Sequence, residues 1–588
     1  MEAIISTIAA INDIIWHDFA LYTLLGVGVL FTVWSGFCQY RSLTHGVSIV
    51  RGKYDDPSDP GAINHFQALS TALSATVGLG NIAGVALAIT TGGPGALFWM
   101  WVVGLVGMSL KLTEVTQSML FRDTSDPTNP HGGPMWVCRR GFAKLSPKLG
   151  GIGTVIGAIF CLTLLVSTVT GGNMVQAWNV ADVSFTNFGI PRWVAGFVLA
   201  SAVALVIVGG IKRIGDVAAR VVPAMCVLYV LAGFIVIIAN IADVPSVFRL
   251  IFAEAFSPTQ GVGAFVGGTA GYGFLIGMQR ALFSSEAGQG SAPIAHSAAK
   301  TDEPVREGIV AGIEPFIDTL CVCTLTGLVI LLSGVWNRAP MLEYTGDANL
   351  IQVVSADSAL EAAGNVAWQV SDLRVEMADS LSGDQLLDGR TVYLAIDSHT
   401  NAATGMSRHR HNGTLSGSEA AGWTARFPDF IAPAGVVPTI AIDGVFFELA
   451  GASLTASAFD SVIPGLGFWI VPLAAWFFAF STIISWSYYG EQGIVYLLGE
   501  RAVRSYRIIY CLLIMATVMM IQTQDELETF MNLGTGVMLW ANIPIMLIFG
   551  PTAMRAYHDY FRRLREGEME PAHAAPSFLD VISGDDVE

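Results

Sequence analysis

SATVGLGNIAGVALAITTGGPGALFWMW, from Ser74 to Trp101, is apolar enough to lie in a bilayer, yet glycine interrupts it at Gly78, Gly80 and Gly84. A Gly92-Gly93-Pro94-Gly95 turn follows. Each glycine gives up about 1 kcal/mol of helix propensity relative to alanine and frees the backbone to leave helical geometry. In a membrane, open backbone survives only where protein or a polar cavity supplies partners. Two half-helices meeting at an unwound midpoint aim N–H groups at an anion and C=O groups at a cation, which is the binding geometry of a secondary transporter.

The rest of the chain supports a membrane reading. Its 588 residues are 53% hydrophobic and only 13% charged, against about 25% charged in soluble domains. Glu2, Asp13 and Asp18 dominate the N-terminus, which has no basic signal-peptide region, so the first apolar segment is expected to stay as a span. Seven cysteines fall in or beside apolar segments and read as buried thiols without a disulfide framework. A net charge of −17 argues against nucleic acid as a partner.

Apolar windows of about 20 residues fall near 19–40, 66–90, 94–121, 151–178, 191–211, 218–241, 260–285, 308–334, 464–489, 505–522 and 530–553. That makes about eleven spans. Basic residues follow the odd-numbered ones: Arg41, Arg51 and Lys53 after the first, Arg122 to Lys148 after the third, Arg555 to Arg565 after the last. The positive-inside rule then places the N-terminus outside and the C-terminus in the cytoplasm of a bacterial inner membrane. Residues 1–60 hold an extra span and a cytoplasmic loop, 61–336 the first repeat and the start of the second, 451–560 the remaining transporter helices, and 561–588 a tail. Between them, 337–450 is polar and lacks lysine and cysteine, which suits a small extracytoplasmic α/β or β domain. Runs 391–396 and 445–449 read as strands, while His409 and His411 read as part of a solvated loop rather than a metal site.

The seventh span, GVGAFVGGTAGYGFLIGMQRALFSSEAGQGSAP from Gly261 to Pro293, repeats the character of the second. The two lie five spans apart, which suggests two five-helix repeats of inverted topology, each opening with a discontinuous helix. Glycine faces also let plain helices pack closely, but two such segments in corresponding positions favour a binding site.

Four motifs carry a family resemblance: GLGNIAGVALAITTGGPGALFWMW, HGGPMW (131–136), LFSSEAGQGSAPIAHSAAKTD (282–302) and SWSYYGEQ (485–492). They resemble the sodium:alanine/glycine symporters, a branch of the amino acid–polyamine–organocation superfamily, over roughly 15–336 and 450–560. The resemblance implies an all-α polytopic protein with a leucine-transporter-like 5+5 inverted repeat. It departs from the family at Ser285, where FSNEAG is usual, and in the length of the insertion.

The resemblance also implies an amino-acid site between spans two and seven. Backbone N–H groups around Gly78, Leu79 and Gly80 would take the substrate carboxylate. Carbonyls near Phe283 and Ser284 would take its ammonium, with Phe283 and Trp486 closing the pocket. Thr76 and Asn81 would stand near the substrate or a second ion, and Ser285 beside them. Similarity to the fold's second sodium site nominates the carbonyls of Ser74 and Val77 with the hydroxyls of Ser481 and Thr482. Glu286 is expected to gate, and Lys111 and Glu114 to pair on one helix face. Some relatives of this fold replace sodium with a lysine, but 221–241 contains no charged side chain, which favours sodium over proton coupling.

The function expected is a sodium-coupled symporter importing alanine or glycine by alternating access, with sodium, a small neutral amino acid and membrane lipid as partners. A proton-coupled or other-solute carrier of the same fold is the main competitor, and a membrane sensor a weaker one. Enzyme chemistry and ATP drive are not expected, since the chain has no Ser/His/Asp or HExxH arrangement at membrane depth and no phosphate loop.

Overall fold

The computed structural model describes residues 2–569 except 257–258, 263–264, 269, 346–347, 354–363, 378–388, 402–405, 419–420, 450 and 522, and also describes Val581. Among the described residues, seven helices are long and apolar enough to cross a membrane, and two bent pairs raise the number to nine. Arg192–Ile207 is a shorter apolar helix, and Ala270–Ser285 has the same 16 residues, about 24 Å, at the expected place of span seven.

The boundaries differ from the sequence reading in instructive ways. Span one is Asp18–Trp34 and ends at a left-handed turn, Gly36 φ 65° and Phe37 φ 59°, rather than running to residue 40. A further helix, Glu2–Ile15, meets it at 46°. This helix lies along the last span, where Asn12 Nδ2 donates to the Thr529 carbonyl (2.8 Å) and Trp16 Nε1 to that of Asn532 (2.9 Å). Residues 259–268 are not the start of span seven. β1 (Thr259–Val262) and β2 (Phe265–Gly268) form an antiparallel hairpin, and the helix begins only at Ala270. Of the cysteines, Cys38, Cys138, Cys161 and Cys323 are buried as expected, whereas Cys226 and Cys511 are half-buried and Cys321 is exposed.

Both glycine-marked segments are broken. Span two starts at a capping box, Asn64 with Gln67, runs as His65–Thr76, and bends by 51° into Gly80–Gly92. The second half opens with a π-turn, Gly80–Gly84. Span seven ends its first half at Ser285 and resumes as the short helix Ala292–His296. Between them Glu286, Gly288 and Gly290 hold positive φ angles of 52°, 80° and 81°. A Cβ on Gly290 would lie 2.6 Å from Pro134 of the HGGPMW motif, so no larger residue fits there without displacing that segment.

Span four is one long element, Pro147–Phe188, interrupted at Thr170–Met174 by a second π-turn. Such insertions widen a helix locally and recur at functional sites. Span three, Gly95–Phe121, ends at Arg122, which is 7% exposed. Its guanidinium donates to the carbonyls of Pro60 (3.1 Å), Ser297 (3.0 Å), Ala299 (2.8 Å) and Thr301. One cation thereby ties the loops before span two and after span seven to span three. Arg122→Ala takes this donor from the carbonyls of Ser297, Ala299 and Thr301, while that of Pro60 keeps the Thr301 N–H, and is expected to cost about 3 kcal/mol, read as an apparent melting temperature lowered by several degrees in detergent.

The insertion is β, as one of the two expected alternatives. β3 (Leu342–Thr345), β6 (Leu373–Met377), β7 (Thr391–Asp397), β8 (Arg408–Ser418), β9 (Gly422–Arg426) and β11 (Thr439–Ile440) run β11-β7-β8-β9-β6-β3, with β12 (Phe446–Phe447) also beside β7. A second sheet orders β10 (Phe430–Pro433), β5 (Asn365–Val370) and β4 (Leu350–Val353). All pairs are antiparallel. Val392, Leu394, Ile396, Leu415 and Phe447 share its core. His409 and His411 sit in β8, not in a solvated loop, and face the carbonyls of His399 (2.7 Å) and Pro428 (2.8 Å). No group of three metal-binding side chains occurs among the described residues. The helix that follows, Ala452–Asp460, reaches the break in span two, where Thr455 Oγ1 donates to the Ile82 carbonyl (3.2 Å).

Candidate functional site

The break in span two leaves carbonyls open. The Gly78 N–H turns to Asn81 Oδ1 (2.8 Å) and the Asn81 N–H to the Gly78 carbonyl (3.1 Å). Neither continues the i→i−4 ladder, so the carbonyls of Ser74 and Val77 lose their helical donors. Span seven does the same, because the Ala287 N–H bonds Ser285 Oγ (3.4 Å) in place of the Phe283 carbonyl.

A cavity lies between these breaks. Its wall includes Thr76, Gly78 and Gly80 from span two, Phe283 and Glu286 from span seven, and Thr482 and Trp486 from span nine. The sequence reading did not include span four, which adds Ser167, Gly171 and Gln176, nor Gln289 and Thr535. Gly171 lies in the π-turn and Gln176 just after it, where the α-helix resumes. The signal was present as Thr170-Gly171-Gly172-Asn173 inside an apolar span, the same polar and glycine-rich interruption that marked span two.

Other nominated residues stand outside the wall. Leu79 is buried in the helical core. Asn81 and Ser284 turn to Asp318 of span eight, where Ser284 Oγ and Thr319 Oγ1 donate to Oδ2 at 2.8 and 2.7 Å and Asn81 Nδ2 donates to Oδ1. Asp318 therefore belongs to the break in span two. Ser285 serves the backbone of span seven, as described. Thr76, by contrast, is in the wall, though its Oγ1 bonds back to its own helix at Ala72 and Leu73.

Spans two and nine touch at residues nominated for sodium, through hydroxyl and carbonyl groups that bond to each other. Ser74 Oγ donates to the Ser481 carbonyl (2.6 Å), and Ser481 Oγ to the Phe478 carbonyl (2.9 Å). The Thr482 hydroxyl is buried without a hydrogen-bond partner, and so is Gln176 Oε1. A Cβ on Gly78 would lie 2.8 Å from the first and 3.7 Å from the second. Two orphaned oxygens therefore face one glycine. Buried oxygens without partners are costly, and such groups in a native cavity point to a missing donor or cation.

Glu286 closes the wall with its carboxyl group. Its Oε1 accepts from Trp486 Nε1 (2.9 Å) and its Oε2 from Ser291 Oγ. Lys111 and Glu114 do not pair with each other as expected. Lys111 Nζ meets Glu314 Oε2 of span eight at 3.1 Å. Glu114 accepts from the Gly290 N–H (3.1 Å) and Asn542 Nδ2 (2.9 Å). Partners nearly 200 residues or more away outcompete the neighbour on the same helix.

The model of the sodium:alanine symporter family matches residues 1–366 and 434–575, leaving out only a stretch of the strand-built insertion and the final residues. The sodium/alanine symporter AgcS of Methanococcus maripaludis is 34% identical over 508 residues, 86% of this chain and 87% of that one. The amino-acid carrier protein AlsT of Bacillus subtilis is 35% identical over 346 residues, 59% of this chain and 70% of that one. Among solved structures, MhsT in complex with L-phenylalanine aligns at 13% identity with a TM-score of 0.46, over 85% of this chain and 92% of that one.

Proposed function

Since the chain belongs to the sodium:alanine symporter family, we propose that it is a sodium-coupled importer of alanine or glycine working by alternating access. It is an integral membrane protein and an amino-acid symporter of that family. The observation that carries the finer reading is the pair of orphaned oxygens, Thr482 Oγ1 and Gln176 Oε1, beside carbonyls released by a broken helix.

Sodium is a hard cation that takes oxygen ligands, and unwound carbonyls supply them in discontinuous helices. The carbonyls of Ser74 and Val77 and the Thr482 hydroxyl are the proposed ligands. Ser481 keeps lone pairs for the ion while its proton stays on Phe478. The substrate carboxylate meets the N–H groups at Leu79 and Gly80, at the start of the second half-helix, while the Gly78 N–H stays on Asn81 Oδ1. Its ammonium is taken by the Phe283 carbonyl and Gln176 Oε1. Phe283 and Trp486 bound the side-chain end, and Glu286 gates through its bond to Trp486. The basic loops support an outside N-terminus and insertion with a cytoplasmic C-terminus.

For each net positive charge moved inward per cycle, 100 mV contributes about 2.3 kcal/mol, or about fifty-fold accumulation. Radiolabelled alanine uptake into proteoliposomes, with sodium, potassium and pH gradients imposed separately, tests the reading. Accumulation is expected under the sodium gradient only. Uptake driven by a pH gradient without sodium would overturn it.

A further inference from the structure

A second set of ionisable groups, outside the substrate contacts, runs from the surface to the cavity wall. Asp55, one-quarter exposed, stands 3.5 Å from His65 Nε2, and His65 Nδ1 contacts Glu307 Oε1. Glu307 Oε2 contacts His296 Nδ1, and His296 Nε2 lies 2.7 Å from Glu314 Oε1. Glu314 Oε2 meets Lys111 Nζ. From His65 to Lys111 every side chain is at most 1% exposed. Lys111 in turn lies in the field of Glu114 and Glu286, and Glu286 is part of the cavity wall. The Tyr489 hydroxyl of span nine, buried without a hydrogen-bond partner, sits in the field of Glu286, Glu314 and Glu114. Arg306 acts on the outer end at His65, and Arg122 at Glu307.

Two features distinguish this from an ion pair that merely holds helices together. Each histidine faces a carboxylate with each of its two ring nitrogens. An imidazole so placed can accept a proton on one side and release one on the other. The charges also do not balance. With both histidines cationic and every carboxylate ionised, the buried set holds four cations (His65, His296, Lys111, Arg122) against five carboxylates (Glu307, Glu314, Glu114, Glu286, Asp318). An uncompensated buried charge is costly, so one further monovalent cation is called for. Sodium in the same cavity supplies it when the carrier is loaded.

We infer that when sodium leaves toward the cytoplasm a proton replaces it, delivered to Glu286 from Asp55 through His65, Glu307, His296, Glu314 and Lys111, and carried outward by the empty carrier. The inference rests on the sodium-symport reading and adds proton counter-transport to it. Only N–H and O–H bonds change along the way: each group gives up one proton as it takes another, and the carried proton leaves Glu286 when sodium returns.

Proteoliposomes containing a trapped pH dye, with the membrane potential clamped, test this in the unmodified protein. Sodium-driven alanine uptake is expected to make the lumen more alkaline whichever way the carrier is inserted. A lumen that acidifies or keeps its pH overturns the inference, while the simultaneous sodium-driven uptake still scores the symport reading. In His296→Gln, net uptake and alkalinisation are expected to fall at least tenfold. Alanine–alanine exchange needs no return of the empty carrier and is expected to stay within threefold. Full net uptake with alkalinisation in this variant also overturns the inference. Loss of exchange along with uptake assigns His296 a structural part only, and the unmodified protein's dye trace then decides.

Discussion

Gly172→Ala is expected to reduce sodium-driven alanine uptake about 100-fold, although residue 172 touches neither the proposed sodium nor the proposed substrate. A Cβ there would lie 2.4 Å from Trp486 Cγ and 2.6 Å from its Cβ. Those atoms are the stem of the side chain and cannot swing aside as a flexible tip would. The indole must move, which breaks its 2.9 Å bond to Glu286 and shifts the cavity wall. Overpacking of this kind costs about 1–3 kcal/mol, and a lost bond to a charged acceptor about 1.5–3 kcal/mol. A combined loss near 3 kcal/mol corresponds to about two orders of magnitude in rate or affinity. Gly84→Ala is the matched control, since nothing lies within 4 Å of its added Cβ. Equal uptake in the two variants, measured at matched protein per vesicle, would remove Trp486 from the working site.

The second large effect concerns the ion. Thr482→Val keeps the shape of the side chain and deletes the orphaned hydroxyl. The sodium concentration for half-maximal uptake is expected to rise about tenfold, the equivalent of about 1.4 kcal/mol, with the alanine KM at saturating sodium changing less than threefold. A sodium dependence identical to that of the unmodified chain would exclude Thr482 as a ligand. Because the Gly78 backbone lies against the same hydroxyl, the variant leaves the break in span two in place and isolates the oxygen.

Much of this architecture is readable from composition because eleven apolar windows need no partner to be recognised. What escaped depends on choices that periodicity does not make. Glu2–Ile15 is too short to register as a span and owes its place to the last helix. The apolar, glycine-rich run at 259–268 reads equally as helix or strand, and the hairpin decides it. Thr76, Gly78, Gly80, Phe283 and Trp486 come together in one wall, as their motifs suggested. Asn81 and Ser284 come together elsewhere, on Asp318, because a carboxylate inside the membrane needs donors from any helix within reach. Gln176 carries no motif at all. The π-turn before it shows in the sequence as the polar, glycine-rich run Thr170-Gly171-Gly172-Asn173, which a count of apolar windows passes over.

The extra residue of that π-turn has a consequence for the tolerance of span four. An α-helix turns about 100° per residue, so Thr170–Met174 acts as a screw-phase correction between the two ends of the rod. Trimming one residue there would relax the rod to ordinary pitch with both ends still in phase, because the π-turn already absorbs the extra residue. Trimming one residue elsewhere in the rod would turn one end against the other by that angle and carry the Ser167 or the Gln176 end out of the cavity. Single-residue deletions are therefore expected to be milder within Thr170–Met174 than in the regular helix on either side.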